Sequence, residues 1–390
     1  MKIEQYLYTR KNGWNDPLEN SQYNNADWVI VFGERELIQS NSHINHIKKN
    51  FPKAIILCGS TAGEIHKNRV YDNTLSITVV KFNSSHIKAF QDELTNYKTS
   101  FEAGYALAKK LDQKNLKHIF VLSDGVNTNA TELINGIYKI VPKDTIITGG
   151  LCGDGAGFKE TTLGLNGNNK LKQAVIIGFY GNKLEIGYGS KGGWIPFGPK
   201  RKVTKSSNNI LYELDHQSAL DLYKLYLKDQ AEELPASGLL FPLSLVDKTG
   251  EAIVNKSGNP IVRTVVGVDH DQKSLIFAGD IPEGSIIQMM QASTEDLILG
   301  AVQASKIALM TTNKSPELVI MISCVGRKLI MGQQSEEEIE EVINQFNTPN
   351  AYFTGFYSYG EICPFFINQT TCQKSLLHNQ TMTITTISEK

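Results

Sequence analysis

The 390-residue chain has no surplus of either charge: 39 Lys and Arg stand against 40 Asp and Glu, a formal net charge of −1. Nucleic-acid binders draw affinity from cations set against phosphates, so this balance argues against that class. The cluster Lys200, Arg201, Lys202 sits beside a Pro/Gly turn and reads as a solvated loop. Long apolar runs are also missing. No segment approaches the roughly 18 apolar residues of a membrane helix. The opening MKIEQYLYTRKNGW lacks the apolar stretch of about 7–15 residues that export requires, so a cytoplasmic protein is expected. Cysteine is scarce. The five (Cys58, Cys152, Cys324, Cys363, Cys372) are odd in number and include no CxxC pair, which favours reduced thiols over disulfides or a structural zinc.

Catalytic signatures are absent too. There is no HExxH, no GxSxG elbow and no GxxxxGK[ST], and GDGAG is not a dinucleotide fingerprint followed by an acid about 20 residues later. A non-enzyme is therefore expected. The alternative is a thiol enzyme with Cys58 or Cys152 as nucleophile, which would need a His or carboxylate within hydrogen-bond reach.

What is present is a globular composition, 41% hydrophobic and 20% charged, in a chain long enough for two domains. Strand-length apolar runs (DWVIVFG, AIILC, LSITVVKF, HIFVLS, TIITGG) alternate with helix-period stretches. The pattern predicts an α/β fold. One predicted helix, residues 99–111, places Phe101, Tyr105, Ala108 and Leu111 on one face. After Gly155, TTLGLNG, AVIIGFYG and LEIGYGS predict antiparallel hairpins, and KGGWIPFGPK (191–200) a hinge or covering loop. A helix follows with Leu220, Tyr223 and Leu227 on one face, and the domain boundary is set at 210/211. In the second half, ELVIMIS ends at CVGRK as HIFVLS ends at DGVN. SEEEIEEVINQF is an amphipathic helix with Ser335 as N-cap and Glu338 at the capping-box position. Gly-Glu-Ile recurs at 63–65 and 360–362. These parallels predict two related mixed α/β lobes with a ligand cleft between them.

Three glycine loops stand at strand ends: CGSTAGEI (58–65), GGLCGDGAGF (149–158) and GFYSYGEI (355–362). Glycine there lets a ligand approach the backbone, and strand ends of open α/β sheets are where pockets form. Glu64, Asp154 and Glu361 lie in these loops. Converging, they would hold an ammonium group while Ser60, Thr61 and backbone amides take a carboxylate, which is amino-acid chemistry. The competing reading has each carboxylate capping its own loop. His43, His46, His86 and His118 read as surface groups. His378, in LLHNQTMTI, reads either as a hydrogen-bonded structural histidine or as a haem ligand.

Together, CGSTAGEI, GGLCGDG, RTVVGVD (263–269), AGDIPEGS (278–285), SCVGRK, GFYSYGEI and HNQT resemble the FIST domain family, collinearly over residues 27–387. Cys152 and Cys363 depart from the small residues of the family's loops. The resemblance implies a FIST N-terminal domain at 1–210 and a FIST C-terminal domain at 211–390. It implies a stand-alone bacterial sensor that binds a small ligand and signals to a separate histidine kinase or cyclic-dinucleotide enzyme. The chain's length and layout also resemble the family's bacterial nitric oxide sensors, which bind haem through histidine; here only His378 is nominated. The candidate ligand residues are Ser60, Thr61, Gly63, Glu64, Gly150, Asp154, Arg263, Tyr359, Gly360 and Glu361.

Overall fold

Three stretches of the chain fold on one plan. The structure, a computed structural model, describes residues 1–142, 144–246, 261–312, 314–368 and 371–389. The first repeat runs β1 (Lys2–Thr9), a short β2 (Gly13–Trp14), β3 (Trp28–Gly33), α1 (Arg35–Gln39), α2 (Asn41–Asn50) and β4 (Ile55–Ser60). It closes with a small hairpin, β5 (Glu64–His66) and β6 (Arg69–Tyr71), and a return strand, β7 (Thr74–Lys81). The second runs β8 (His86–Glu93), α3 (Ser100–Lys110), β9 (Leu116–Ser123), α4 (Ala130–Ile137) and β10 (Ile146–Leu151). Its hairpin is β11 (Thr162–Leu165) and β12 (Lys170–Leu171), its return strand β13 (Gln173–Tyr180).

The third repeat opens with β14 (Leu184–Lys191) and is then interrupted. The inserted segment holds β15 (Ile195–Ser207), β16 (Ile210–Leu214), β17 (Gln217–Ser218), α5 (Ala219–Leu227), β18 (Leu243–Val246), β19 (Val262–Arg263), β20 (Val265–Asp269), β21 (Ser274–Phe277) and β22 (Ile286–Gln291). The repeat resumes with α6 (Thr294–Met310), β23 (Leu318–Cys324), α7 (Val325–Met331), α8 (Ser335–Phe346) and β24 (Tyr352–Ser358). It ends with the hairpin β25 (Gly360–Asn368) and β26 (Thr371–His378) and the return strand β27 (Met382–Glu389).

Each repeat builds a sheet around a parallel pair: β3–β4, β9–β10 and β23–β24. Each then gives its hairpin to a neighbour. The sheets run β2-β1-β7-β3-β4-β11-β12, β8-β13-β9-β10-β25-β26 and β14-β27-β23-β24-β5-β6. The first repeat's hairpin thus completes the third sheet, the second's completes the first, and the third's completes the second. The exchange covers an edge of unpaired backbone groups in every sheet. The two related halves expected from the sequence are part of this threefold relation. Cys58, Gly149 and Gly355 pair with Val31, Val121 and Met321 at one level of the three sheets. Glu64 faces Phe356, Glu361 faces Gly150 and Leu163 faces Gly59, so the two Gly-Glu-Ile motifs are structural equivalents and the second repeat has leucine in place of the acid.

The inner faces of the three sheets meet in one apolar core. Trp28 of β3 lies edge-on to Phe179 of β13, centroids 5.3 Å apart, and Phe32 of β3 packs on Phe356 of β24 at 4.5 Å. Burying each such ring contributes about 2–3 kcal/mol. Helices cover the outer faces: α1 and α2 the first sheet, α3 and α4 the second, α6 and α8 the third.

Several sequence expectations change here. β13 and β14 do not form a hairpin; the turn at Gly181, with φ +144°, passes the chain from the second sheet to the third. KGGWIPFGPK is strand from Ile195 onward, pairing with β22. α3 buries Ala103, Gly104, Leu107 and Ala108 and leaves Tyr105 exposed under Lys109, because its small face is what fits against α4. Ser335 and Glu338 form no capping box: Glu338 turns inward to the buried Arg327. His118, read as a surface group, is fully buried in β9 with Nε2 3.0 Å from Thr148 Oγ1, since its strand is central in its sheet.

Candidate functional site

Glycine-rich turns end the three parallel strands β4, β10 and β24, and they meet on the pseudo-threefold axis. Three equivalent hydrogen bonds tie them in a ring. Ala62 N donates to Tyr357 O (2.8 Å), Gly153 N to Ser60 O (2.9 Å) and Tyr359 N to Leu151 O (3.3 Å). In each case the donor stands two residues beyond the acceptor's equivalent. The three loops singled out in the sequence are therefore neighbours in space. At Gly153 a Cβ would approach Ala62 N to 2.8 Å, which explains glycine at that point of the ring.

The acids do not converge on one point. Glu64 is buried and accepts from Thr61 Oγ1 (2.5 Å), Thr74 Oγ1 (2.7 Å) and Thr74 N (3.1 Å). Its equivalent, Glu361, accepts from Ser358 Oγ (2.6 Å), Thr381 Oγ1 (3.0 Å) and Thr381 N (3.1 Å). Burial pushes both carboxyls up to about 7 against the pull of these donors. Asp154 accepts from Lys159 N and Glu160 N, both at 3.1 Å, and from the hydroxyl of Tyr359. Each carboxylate thus caps its own loop, the second of the two readings of the sequence. Ser60 Oγ accepts from Thr162 N at 2.9 Å. Gly150 and Gly360 are buried strand residues next to the ring.

Three hollows surround the axis, one at each junction between repeats. One of about 300 Å³ is lined by Arg35, Thr61, Gly63, Glu64, Asp154 and Lys159, so it gathers four of the candidate residues. A second, about 620 Å³, lies between Asp72, Gly155, Lys328 and Glu336. The third, about 390 Å³, differs in kind because the inserted segment roofs it. Asn127 and Asn129 before α4, with Phe158 and Tyr359, form its floor; Asn209, Val266, Phe277 and Gly279 form its roof. Phe158 stacks on Tyr359, centroids 4.2 Å apart at 16°, and the Tyr359 hydroxyl accepts from Phe158 N at 3.0 Å. Asn129 caps α4 through Glu132 N (3.1 Å) and reaches Asp280 across the cleft (3.3 Å). Sequence reasoning missed Asn127, Asn129, Phe158 and Asn209. The DGVN turn was visible, but nothing local showed that an insert closes over it.

Arg263 lies behind this roof, 8% exposed, its Nε donating to Asp280 O at 3.1 Å and Nη1 to Val262 O at 3.0 Å. His378 is half-buried, and its Nε2 lies 3.1 Å from Cys363 O. Its side chain lines none of the three hollows, and burial lowers its pKa to about 4. A haem ligand would have to open onto a porphyrin-sized space, and these hollows offer His378 none. Cys58 and Cys152 are fully buried; burial pushes the Cys58 thiol up to about 12 and raises Cys152 as well, the reverse of an activated nucleophile. Among the described residues, no group of three His, Cys, Asp or Glu is placed to hold a metal, and no helix is long and apolar enough to cross a membrane.

Residues 27–217 match the FIST N domain and residues 219–364 the FIST C domain. The two matches meet at residues 217–219, where β17 gives way to α5 inside the insert. The chain is 24% identical over 245 residues to an uncharacterized protein of Methanocaldococcus jannaschii, an overlap of 60% of this chain and 45% of that protein's length.

Proposed function

The chain belongs to the FIST family, whose domains are signal-transduction sensors that bind small ligands, and from that premise we propose where and how it senses. The ligand site is the roofed cleft of about 390 Å³, and the ligand class is a small polar molecule of amino-acid size. One observation carries this reading: among the described residues, only this one of the three equivalent junctions is closed by a separate body. A ligand there touches both the axial loops and the insert, so its binding free energy is available to change their relation. The insert leaves β14 through Gly192 and Gly193, the latter at φ +91°, and rejoins at α6, which makes this root its pivot. Closure of the insert would present an altered surface to a cytoplasmic partner, a histidine kinase or cyclic-dinucleotide enzyme.

The test is a thermal-shift screen of free amino acids on the full chain, repeated on Asn127→Ala and Tyr359→Ala. A hit should raise Tm by several degrees and bind at least tenfold more weakly to both variants. A hit whose affinity neither variant changes would move the ligand out of the cleft. A saturable Soret band on titration with haemin would replace the amino-acid class with haem.

A further inference from the structure

We propose that the ligand of the cleft is an anion and that Arg263 is the cation receiving it; this rests on the reading of the cleft as the ligand site. Two arginines among the described residues are deeply buried, and they differ in one respect. Arg327, fully buried, is matched: it pairs with Glu338 and also donates to Gly192 O and Leu297 O. Arg263, only 8% exposed, has only the carbonyls of Val262 and Asp280, and among the described residues it forms no ion pair. Its Nη2 makes no hydrogen bond among those residues. The Asp280 carboxylate is near enough to attract the guanidinium, but its hydrogen bond is with Asn129, so it forms no direct pair with Arg263. A buried charge without a hydrogen-bonded counter-ion is costly, and an anion that bonds it directly recovers part of that cost on binding.

Position supports the assignment. Gly279 lines the cleft, and a Cβ there would lie 2.9 Å from Arg263 Nε, so the guanidinium packs against a residue of the cleft wall without lining the cleft itself. The surroundings are polar and incomplete. Gln380 Nε2 donates to Leu239 O (2.7 Å), and a Cβ on Gly238 would touch Val265, so the 237–239 turn, residues 263–265 and the HNQT turn adjoin. In these segments Ser237 Oγ, Thr264 Oγ1, Asn379 Oδ1 and Gln380 Oε1 are buried with no hydrogen-bond partner among the described residues. The two hydroxyls can donate to an anion; the two amide oxygens can accept from a donor on the same ligand. A carboxylate that also carries an amino group meets both demands.

The experiment uses three probes at constant ionic strength, with sodium chloride as reference: sodium acetate, glycine and glycinamide, which keeps the amine but lacks the carboxylate. Tm of the full chain is followed in the wild type, Arg263→Gln and Arg263→Lys. Acetate and glycine should raise wild-type Tm saturably and glycinamide should not. Arg263→Gln should weaken that response at least tenfold while its own ligand-free Tm equals or exceeds that of the wild type. Arg263→Lys, which keeps the charge, should retain a response and guards against a folding defect in the glutamine variant. Equal responses in wild type and Arg263→Gln, or none in wild type, would overturn the proposal. If anions bind through Arg263 but Tyr359→Ala leaves them unaffected, the anion site stands and the cleft reading falls. If instead a ligand sensitive to Tyr359→Ala is indifferent to Arg263→Gln, the cleft reading stands and the role of Arg263 falls.

Discussion

The insert is attached to the three-sheet body at a root and at a cleft, and the two joints are built differently. At the root the buried charge is matched. Arg327 holds the carbonyl of Gly192, where the insert departs, and that of Leu297, where the chain has returned; Glu338 answers its charge and also accepts from Ser323 Oγ and Tyr357 OH, both at 3.1 Å. At the cleft, among the described residues, the side-chain bond across the joint is an asparagine on an aspartate, and the arginine behind it has carbonyls of the insert and the attraction of Asp280 but no direct ion pair. The comparison teaches how to tell scaffold from site among buried charges. A satisfied network fixes one geometry, whereas an unsatisfied one stores free energy that a ligand can release.

The comparison can be broken most directly at the root. Glu338→Ala strips the buried Arg327 of its counter-charge and should cost about 3–5 kcal/mol in urea unfolding. A loss below about 1 kcal/mol would mean that the root is not the tighter joint. Glu64 and Glu361 offer a second contrast, between buried acids that cap loops and acids that bind ligand. Their folded pKa of about 7 lies above the ordinary value of 4.5, so the protonated forms are favoured by folding. Their contribution is full below pH 4.5 and is lost as pH rises through about 7, which makes stability fall with pH across that window. Glu64→Gln with Glu361→Gln should remove this component, up to about 1.4 kcal/mol per pH unit for each proton, seen as a change in the slope of Tm against pH. An unchanged slope would place their titration outside that window. The smallest effect is expected at the cleft: Asn129→Ala loses the cap of α4 and the reach to Asp280, about 1 kcal/mol, while changing the ligand response more than the stability.

The composition argued against nucleic-acid and membrane-helix classes, and among the described residues no helix is long and apolar enough to cross a membrane. The strand–helix alternation predicted α/β sheets, and the repeated Gly-Glu-Ile marked positions that are equivalents in space, since both follow a parallel strand whose turn needs glycine. Local pattern also identified the three loops that form the axial ring. It did not show the third repeat of the motif, because Leu163 stands where the other two have glutamate. Nor did it show the hairpin exchange, because a strand's sequence records that it will pair and not with which sheet. His118 read as polar yet is central, since burial depends on neighbours contributed from far along the chain. The carboxylates read equally as a shared site or as separate caps, and the fold makes them separate caps, each held by nearby hydroxyls and amides. Whether Arg327 or Arg263 finds a counter-charge is likewise invisible in sequence: it depends on which aspartate or glutamate side chain the fold turns toward the guanidinium, and only the packing of the insert against the three sheets decides that.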